Sequence, residues 1–426
     1  MKQTLLSLLM MLLPVTVYAE EVEIDGIKYR LINKGSFAKV IQNPDGYSGD
    51  VVIPDIVNYN GIDYTVNNID NNAFRFHSDL TSIRISNNVK NIGDEAFYWC
   101  YNLSKVIFSN SVTSIGKSAF SGCSGLTSVI IPNSVEHIGY CAFAHCTKLE
   151  SVEMSNHVTS IGDQAFTGCT NLKEVVLPNS LEVIGLGTFS GCSSLTDVVI
   201  PISVSRIGFS AFKDCISLPK ITIPNSVSSI EGSAFKGCKS LTTVVIGNSV
   251  GSINDYAYAD CPELTDVYCY SYLYNIKSNA FDNSHIEYAT LHVPASALND
   301  YSHSFICREP WRNFKIVVAI DKQYYNLKYI IDENNYIDCW FEEGATITPE
   351  PAPSKGGYTF SGWSEIPETM PDHDVTITGT FIENTYLPGD ANGDGQITVT
   401  DIGVIVDIIL GKTPANARKQ QEEEPQ

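Results

Sequence analysis

Asn110-Ser111-Val112-Thr113-Ser114-Ile115-Gly116-Lys117-Ser118-Ala119-Phe120-Ser121-Gly122-Cys123-Ser124-Gly125-Leu126-Thr127-Ser128-Val129-Ile130-Ile131-Pro132 is the stretch on which the fold turns. Its landmarks return every 23 residues in both directions. Phe74, Phe97, Phe120, Phe143, Phe166, Phe189, Phe212, Phe235, Tyr258 and Phe281 keep that spacing without one insertion or deletion. Leu80 through Leu264 and Ile69 through Ile276 repeat in step. Fixed self-similarity of this length is the signature of a stacked repeat array. Val129-Ile130-Ile131 shows the β-branched character of a short strand that ends at Pro132. The apolar burial that one coil offers falls short of the cost of ordering its backbone, so coils must stack to fold. Equal coil lengths keep every strand in register, which predicts a parallel, one-dimensional array.

The chain has 426 residues and a formal charge of −21. Phosphate recognition depends on clustered Lys and Arg, so this balance excludes nucleic acid as a partner and disfavours anionic lipid surfaces. Lys2 and the apolar run 5–17, closed by Val17-Tyr18-Ala19, read as a secretory signal peptide over 1–19, cut before Glu20. No cysteine follows that run to carry a lipid, and no other stretch is long enough to span a bilayer, so membrane insertion is not expected.

Twelve cysteines in an exported chain would ordinarily suggest disulfides. Eight of them, from Cys100 to Cys261, instead recur at the repeat period and so occupy one position of the coil. Stacked thiols would lie within bridging distance, but they point side by side and not at each other. A buried, reduced ladder serving as small apolar packing is the expectation. Cys141 and His145 beside Cys146 lack a second pair, so they do not make a metal site.

Along each strand Leu, Val and Ile point inward and the residues between them point outward. The outward place reads Arg84, Ile107, Ile130, Glu153, Val176, Val199, Thr222, Val245 and Tyr268. Ile107, Ile130, Val176, Val199, Val245 and Tyr268 are apolar or aromatic, which marks a candidate partner-binding strip. Strand propensity alone would also favour such residues there.

The repeat, approximately Pro-Asn-Ser-Val-x-x-Ile-Gly-x-x-Ala-Phe-x-x-Cys-x-x-Leu-x-x-Val-x-Ile, resembles the BspA-like (Treponema-type) leucine-rich repeat over about 24–320. The resemblance implies a mainly β, right-handed solenoid of about ten coils, joined by short turns and 3-10 segments. It also implies a secreted or cell-surface protein of adhesin type that binds host or neighbouring-cell proteins or glycoproteins. Gly49-Asp50-Val51-Val52-Ile53-Pro54 and Tyr59-Asn60-Gly61 look like the family's N-terminal cap, and Ala289 to Pro294 with Trp311 to Phe314 like its C-terminal cap. The expected layout is a cap at 20–60, the solenoid at 61–287 and a second cap at 288–320.

From 321 to 383 the period is lost and a β-rich module follows. Its Gly357-Tyr358-Thr359-Phe360-Ser361-Gly362-Trp363 and Met370-Pro371-Asp372 resemble the Listeria–Bacteroides repeat, a small β-grasp-like module.

Segment 384–411 carries Asp390, Asn392, Asp394, Gln396, Thr398 and Asp401, with Gly395 at the sharp turn. Oxygen donors at loop positions 1, 3, 5, 7, 9 and 12 suit Ca²⁺, Gln396 through its carbonyl and Thr398 through water. With the apolar helical face of Ile402, Ile405, Val406, Ile409 and Leu410, the segment resembles the first half of a type I dockerin. That implies a cohesin-like partner in an extracellular glycan-degrading assembly, although the second loop of such modules is missing. A polar tail, 412–426, is expected to be disordered.

No nucleophile elbow, zinc-binding His pair or phosphate-cradling glycine loop occurs. Glu153 and Glu174 are the nearest approach to a glycosidase carboxylate pair, but they face outward with no pocket-forming insertion around them. A hydrolase is therefore the weakest reading, and a non-catalytic binding protein the strongest.

Overall fold

The computed structural model describes residues 19–32, 36–271, 275–302, 309–320, 324–331, 335–353, 358–371 and 373–383. They belong to two compact units that divide between Lys322 and Gln323.

The first unit is a β-solenoid in which every coil contributes two short parallel strands. One ladder uses the pair of residues ending on the recurrent Ile: Ser114–Ile115 lies between Asn91–Ile92 and His137–Ile138. The other uses the Leu-x-x-Val-x-Ile segment: Ser128–Ile130 pairs with Ser151–Glu153, and Glu174–Val176 with Asp197–Val199. Parallel strands need a crossover, and here turns supply it in place of helices. The turns are themselves bonded from coil to coil. Phe97 N–H donates to Ala119 O at 2.7 Å and Phe120 N–H to Ala142 O at 2.8 Å, so backbone polar groups beneath the surface are satisfied by the next coil. Hydroxyls add to this: Thr159, Ser205 and Ser228 each donate to a carbonyl 23 residues earlier. The 3-10 turns among the described residues lie only in the C-terminal cap, at Ile286–Tyr288, Ala295–Ala297 and Trp311–Asn313.

The interior consists of rows, each built from one repeat position. The aromatic row from Phe74 to Phe281 is buried, and its rings stack nearly parallel, from 4.8 Å at Phe74–Phe97 to 5.6 Å at Phe166–Phe189. The spacing follows the rise from coil to coil and falls in the range of stacked aromatic pairs.

The cysteines form a second row. All eight are free, as are Cys141 and Cys269. Each thiol of the ladder donates to the carbonyl of the Phe 26 residues earlier: Cys123 to Phe97 O at 3.0 Å, Cys146 to Phe120 O at 3.3 Å, Cys261 to Phe235 O at 3.3 Å. The thiol therefore does more than fill space: it adds a second donor to a buried carbonyl that already accepts the backbone N–H three residues on, Phe97 O from Cys100 at 3.2 Å and Phe120 O from Cys123 at 3.1 Å. Where the row ends, other groups take over. Ser284 occupies the next step and donates to Tyr258 O, while His77 occupies the preceding one and accepts the Tyr47 N–H at 2.7 Å through Nδ1.

Both ends of the array are covered. Ala19–Ile24, Ile27–Ile32 and Phe37–Val40 form an antiparallel meander, whose last strand pairs in parallel with Ile62–Ile69 and so feeds the first ladder. Gly49–Val52 pairs in parallel with Leu80–Arg84, so segment 49–54 already holds the second-ladder place of a coil. The Tyr47 ring closes the aromatic row 4.4 Å from Phe74. At the other end Thr290–Val293 and Ile316–Ala319 extend the second ladder, and Trp311 and Phe314 stand 5.9 and 5.6 Å from Phe281.

The second unit is small. Tyr324–Ile331 is the central strand, antiparallel to Asn335–Glu342 and parallel to Val375–Gly379, with a separate pair Tyr358–Phe360 and Phe381–Glu383. Leu327, Tyr329, Ile347, Met370 and Ile377 form its core. Trp363 packs edge-to-face against Tyr329 and Phe360, and its indole N–H donates to Glu350 O at 2.9 Å.

Candidate functional site

The second ladder places its outward residues in two rows, and the strip expected from the sequence is one of them. Ile130, Val176 and Val199 stand out from the surface, 64%, 72% and 46% exposed. Val176 and Val199 are direct cross-strand neighbours, whereas Ile130 faces Glu153. Ile107, Val245 and Tyr268 also face outward but are half-buried. Tyr268 owes this to His292, whose ring stacks on it at 4.1 Å and whose Nε2 shares a 2.8 Å hydrogen bond with Asp266. The apolar strip is therefore concentrated at the middle of the array. Glu174 and Asp197 form the adjoining outward pair, and Lys173 is held by Glu150 at 2.8 Å. A ligand laid there would meet an apolar ridge with an acidic border.

Glu153 and Glu174 are both exposed strand residues, an arrangement without the enclosure that glycosidase carboxylates need. Burial pushes the ladder thiols up, to about 12 at Cys100 and Cys169, so they remain protonated and unsuited to nucleophilic or metal chemistry at neutral pH. Among the described residues no three His, Cys, Asp or Glu are grouped to hold a metal, and no helix is long and apolar enough to cross a membrane. Asp390, Asn392, Asp394, Gln396, Thr398 and Asp401 lie outside the described residues, as do residues 1–18 of the expected signal peptide.

A second surface group was not anticipated from the sequence. On the turns of the first coils, Phe76, Trp99 and Tyr101 are exposed beside Tyr98, Arg75 and Glu95. The signal for it lies in the repeat: the place two residues after the aromatic row is mostly Gly, Asp or Asn, and two coils put a large aromatic there.

Paired in-register ladders, single-residue interior rows and a free strand face define the first unit as a leucine-rich-repeat solenoid. The chain belongs to the BspA type leucine rich repeat family, whose description matches residues 67–196 and 184–306 in six copies. Among solved structures, a T. pallidum leucine rich repeat protein is 27% identical, covering 47% of this chain and 91% of its own, with a TM-score of 0.42. A leucine rich cell surface protein from Faecalibacterium prausnitzii is 24% identical, covering 71% and 95%, with a TM-score of 0.46. A leucine-rich repeat protein from Bacteroides ovatus is 23% identical, covering 70% and 100%, with a TM-score of 0.41. No curated protein matches the chain.

Proposed function

We propose that the protein is a secreted or cell-surface, non-catalytic binding protein of adhesin type. Its solenoid strand face would hold a protein or glycoprotein of a host or neighbouring cell. The observation that carries this reading is the exposed pair Val176 and Val199 on adjacent strands. Contiguous apolar surface in water is unfavourable to the free molecule and is relieved when a partner covers it. The acidic border of Glu174 and Asp197 supplies orientation, as polar rims do around apolar centres.

The test is capture by the intact chain on a panel of purified extracellular-matrix and plasma proteins. Val176→Lys combined with Val199→Lys should weaken whatever the native protein captures by at least tenfold, about 1.4 kcal/mol or more. Thermal melting should be unchanged, because neither side chain reaches the interior. Equal affinity in a folded variant rejects the strip.

The spacing of Asp390, Asn392, Asp394, Gln396, Thr398 and Asp401 favours a second reading, in which a Ca²⁺-loaded loop docks the chain onto a cohesin-like partner of an extracellular glycan-degrading assembly.

A further inference from the structure

Two residues after each stacked aromatic, the coil takes a left-handed backbone. Glycine fills that place at Gly122, Gly168, Gly191 and Gly237, and Asp214, Asp260, Asn283 and His145, of types that tolerate the conformation, fill four more. Phe76 and Trp99 do not suit it. Their φ angles are 63° and 59°, a region that bulky side chains rarely occupy, and their rings are 59% and 47% exposed. Backbone strain and exposed aromatic surface are both unfavourable to the free fold. The left-handed backbone belongs to every coil, but nothing in the packing of the interior requires a large aromatic ring at that place on two adjacent coils. Strain that serves no packing purpose is characteristic of binding sites.

The local geometry is ordered. The rings of Phe76 and Tyr98 meet edge-to-face at 5.6 Å, and those of Tyr98 and Trp99 at 6.2 Å. The Trp99 indole lies against Gly122, where an added Cβ would stand 3.0 Å from the ring, so that glycine lets the indole rest on the surface. The Arg75 guanidinium lies 4.7 Å from the centre of the Phe76 ring and 5.2 Å from that of Tyr98, and its NH1 pairs with Glu95 Oε2 at 2.8 Å. Tyr101, 48% exposed, follows two residues after Trp99.

The group is therefore electrically neutral, with aromatic surface beside a matched donor and acceptor. A charged ligand would find Arg75 and Glu95 already paired. A purely apolar one would cut the still exposed third of both side chains off from water, at a cost. A pyranose answers both demands, since its C–H face packs on aromatic rings and its neighbouring hydroxyls donate and accept side by side. We propose that Phe76, Tyr98, Trp99 and Tyr101, with Arg75 and Glu95, form a binding site for neutral glycan on the turn face. It is separate from the strand-face strip, and neither reading depends on the other.

Native gels cast with laminarin, xylan or yeast mannan test this with the full chain. At least one of these polysaccharides should retard the native protein, and Trp99→Gly should weaken the retardation roughly tenfold or more, as loss of a stacked aromatic anchor does. Because glycine relieves the left-handed strain, the melting temperature of Trp99→Gly should hold or rise. Tyr101→Ala, away from the strained place, should also weaken retardation and leave melting unchanged. Absence of retardation by all three polysaccharides overturns the site. So does retardation of Trp99→Gly and Tyr101→Ala equal to that of the native chain. A fall in the melting temperature of Trp99→Gly would assign the indole a structural role and likewise overturn it.

Discussion

At the scale of the residue, the ladder thiol shows how one side chain meets two demands. Cysteine is small enough for a close-packed row and still carries a donor for the Phe carbonyl that faces it. Alanine would fill the volume but remove the second of two hydrogen bonds to that carbonyl, which also accepts the backbone N–H three residues on, as Phe97 O does from Cys100. Dependence on pH follows from the burial of the same thiol. An unfolded thiol titrates near about 8.5, whereas burial raises Cys100, Cys169 and Cys261 to about 12. A raised folded value means that the stabilisation is complete below the unfolded value and declines as pH climbs toward the folded one. Each thiol should thus remove about 1.4 kcal/mol of stability per pH unit above that point. Urea midpoints measured from pH 7.5 to 10 should fall, and should fall less steeply in a Cys146→Ala, Cys169→Ala variant. Identical slopes in the two proteins would refute the assignment.

At the scale of the element, what could be read in the sequence was whatever the 23-residue period controls. Interior places tolerate one size and polarity, so Phe120, Cys123, Leu126 and Val129 announce their rows in any coil, and the strand alternation follows. The outward direction of Ile130, Val176 and Val199 came with it. The partial cover over Tyr268 did not, because it depends on His292, a residue of the C-terminal cap that lies off the repeat. The early start of the second ladder at Gly49–Val52 was hidden for a similar reason, since the meander before Ile69 breaks the period. Phe76 and Trp99 sit at places that vary from coil to coil, where sequence alone shows a loose preference for Gly, Asp or Asn and says nothing of backbone sign. The Ca²⁺ loop proposed at 390–401 is the reverse case, resting on ligand spacing alone. Terbium luminescence of the whole chain should show one site that Ca²⁺ displaces. Asp390→Ala with Asp394→Ala should abolish it, having removed two of the charged ligands. Luminescence that survives this change would place the ion elsewhere or nowhere.

At the scale of the whole molecule, each coil touches only its two neighbours, so stability is close to a sum of coil and interface terms. Deleting 132–154, one full period, joins Ile131 to Ser155 in the original phase and should leave a shorter array with its circular dichroism per residue unchanged. Deleting one residue fewer, 132–153, turns every row after the junction out of line. It should lower the melting temperature by well over 10 °C or abolish cooperative unfolding, since several interior side chains lose their partners at about 2–5 kcal/mol each. Equal melting of the two deletions would contradict in-register stacking. Uniform coils also have a genetic consequence. Because neighbouring repeats have one length and share their landmark residues, gain or loss of a whole 23-residue unit keeps every row in phase, and both capping ends survive the change. The reach of the surface can then lengthen or shorten within a lineage by copy number alone, with no new side chain having to arise.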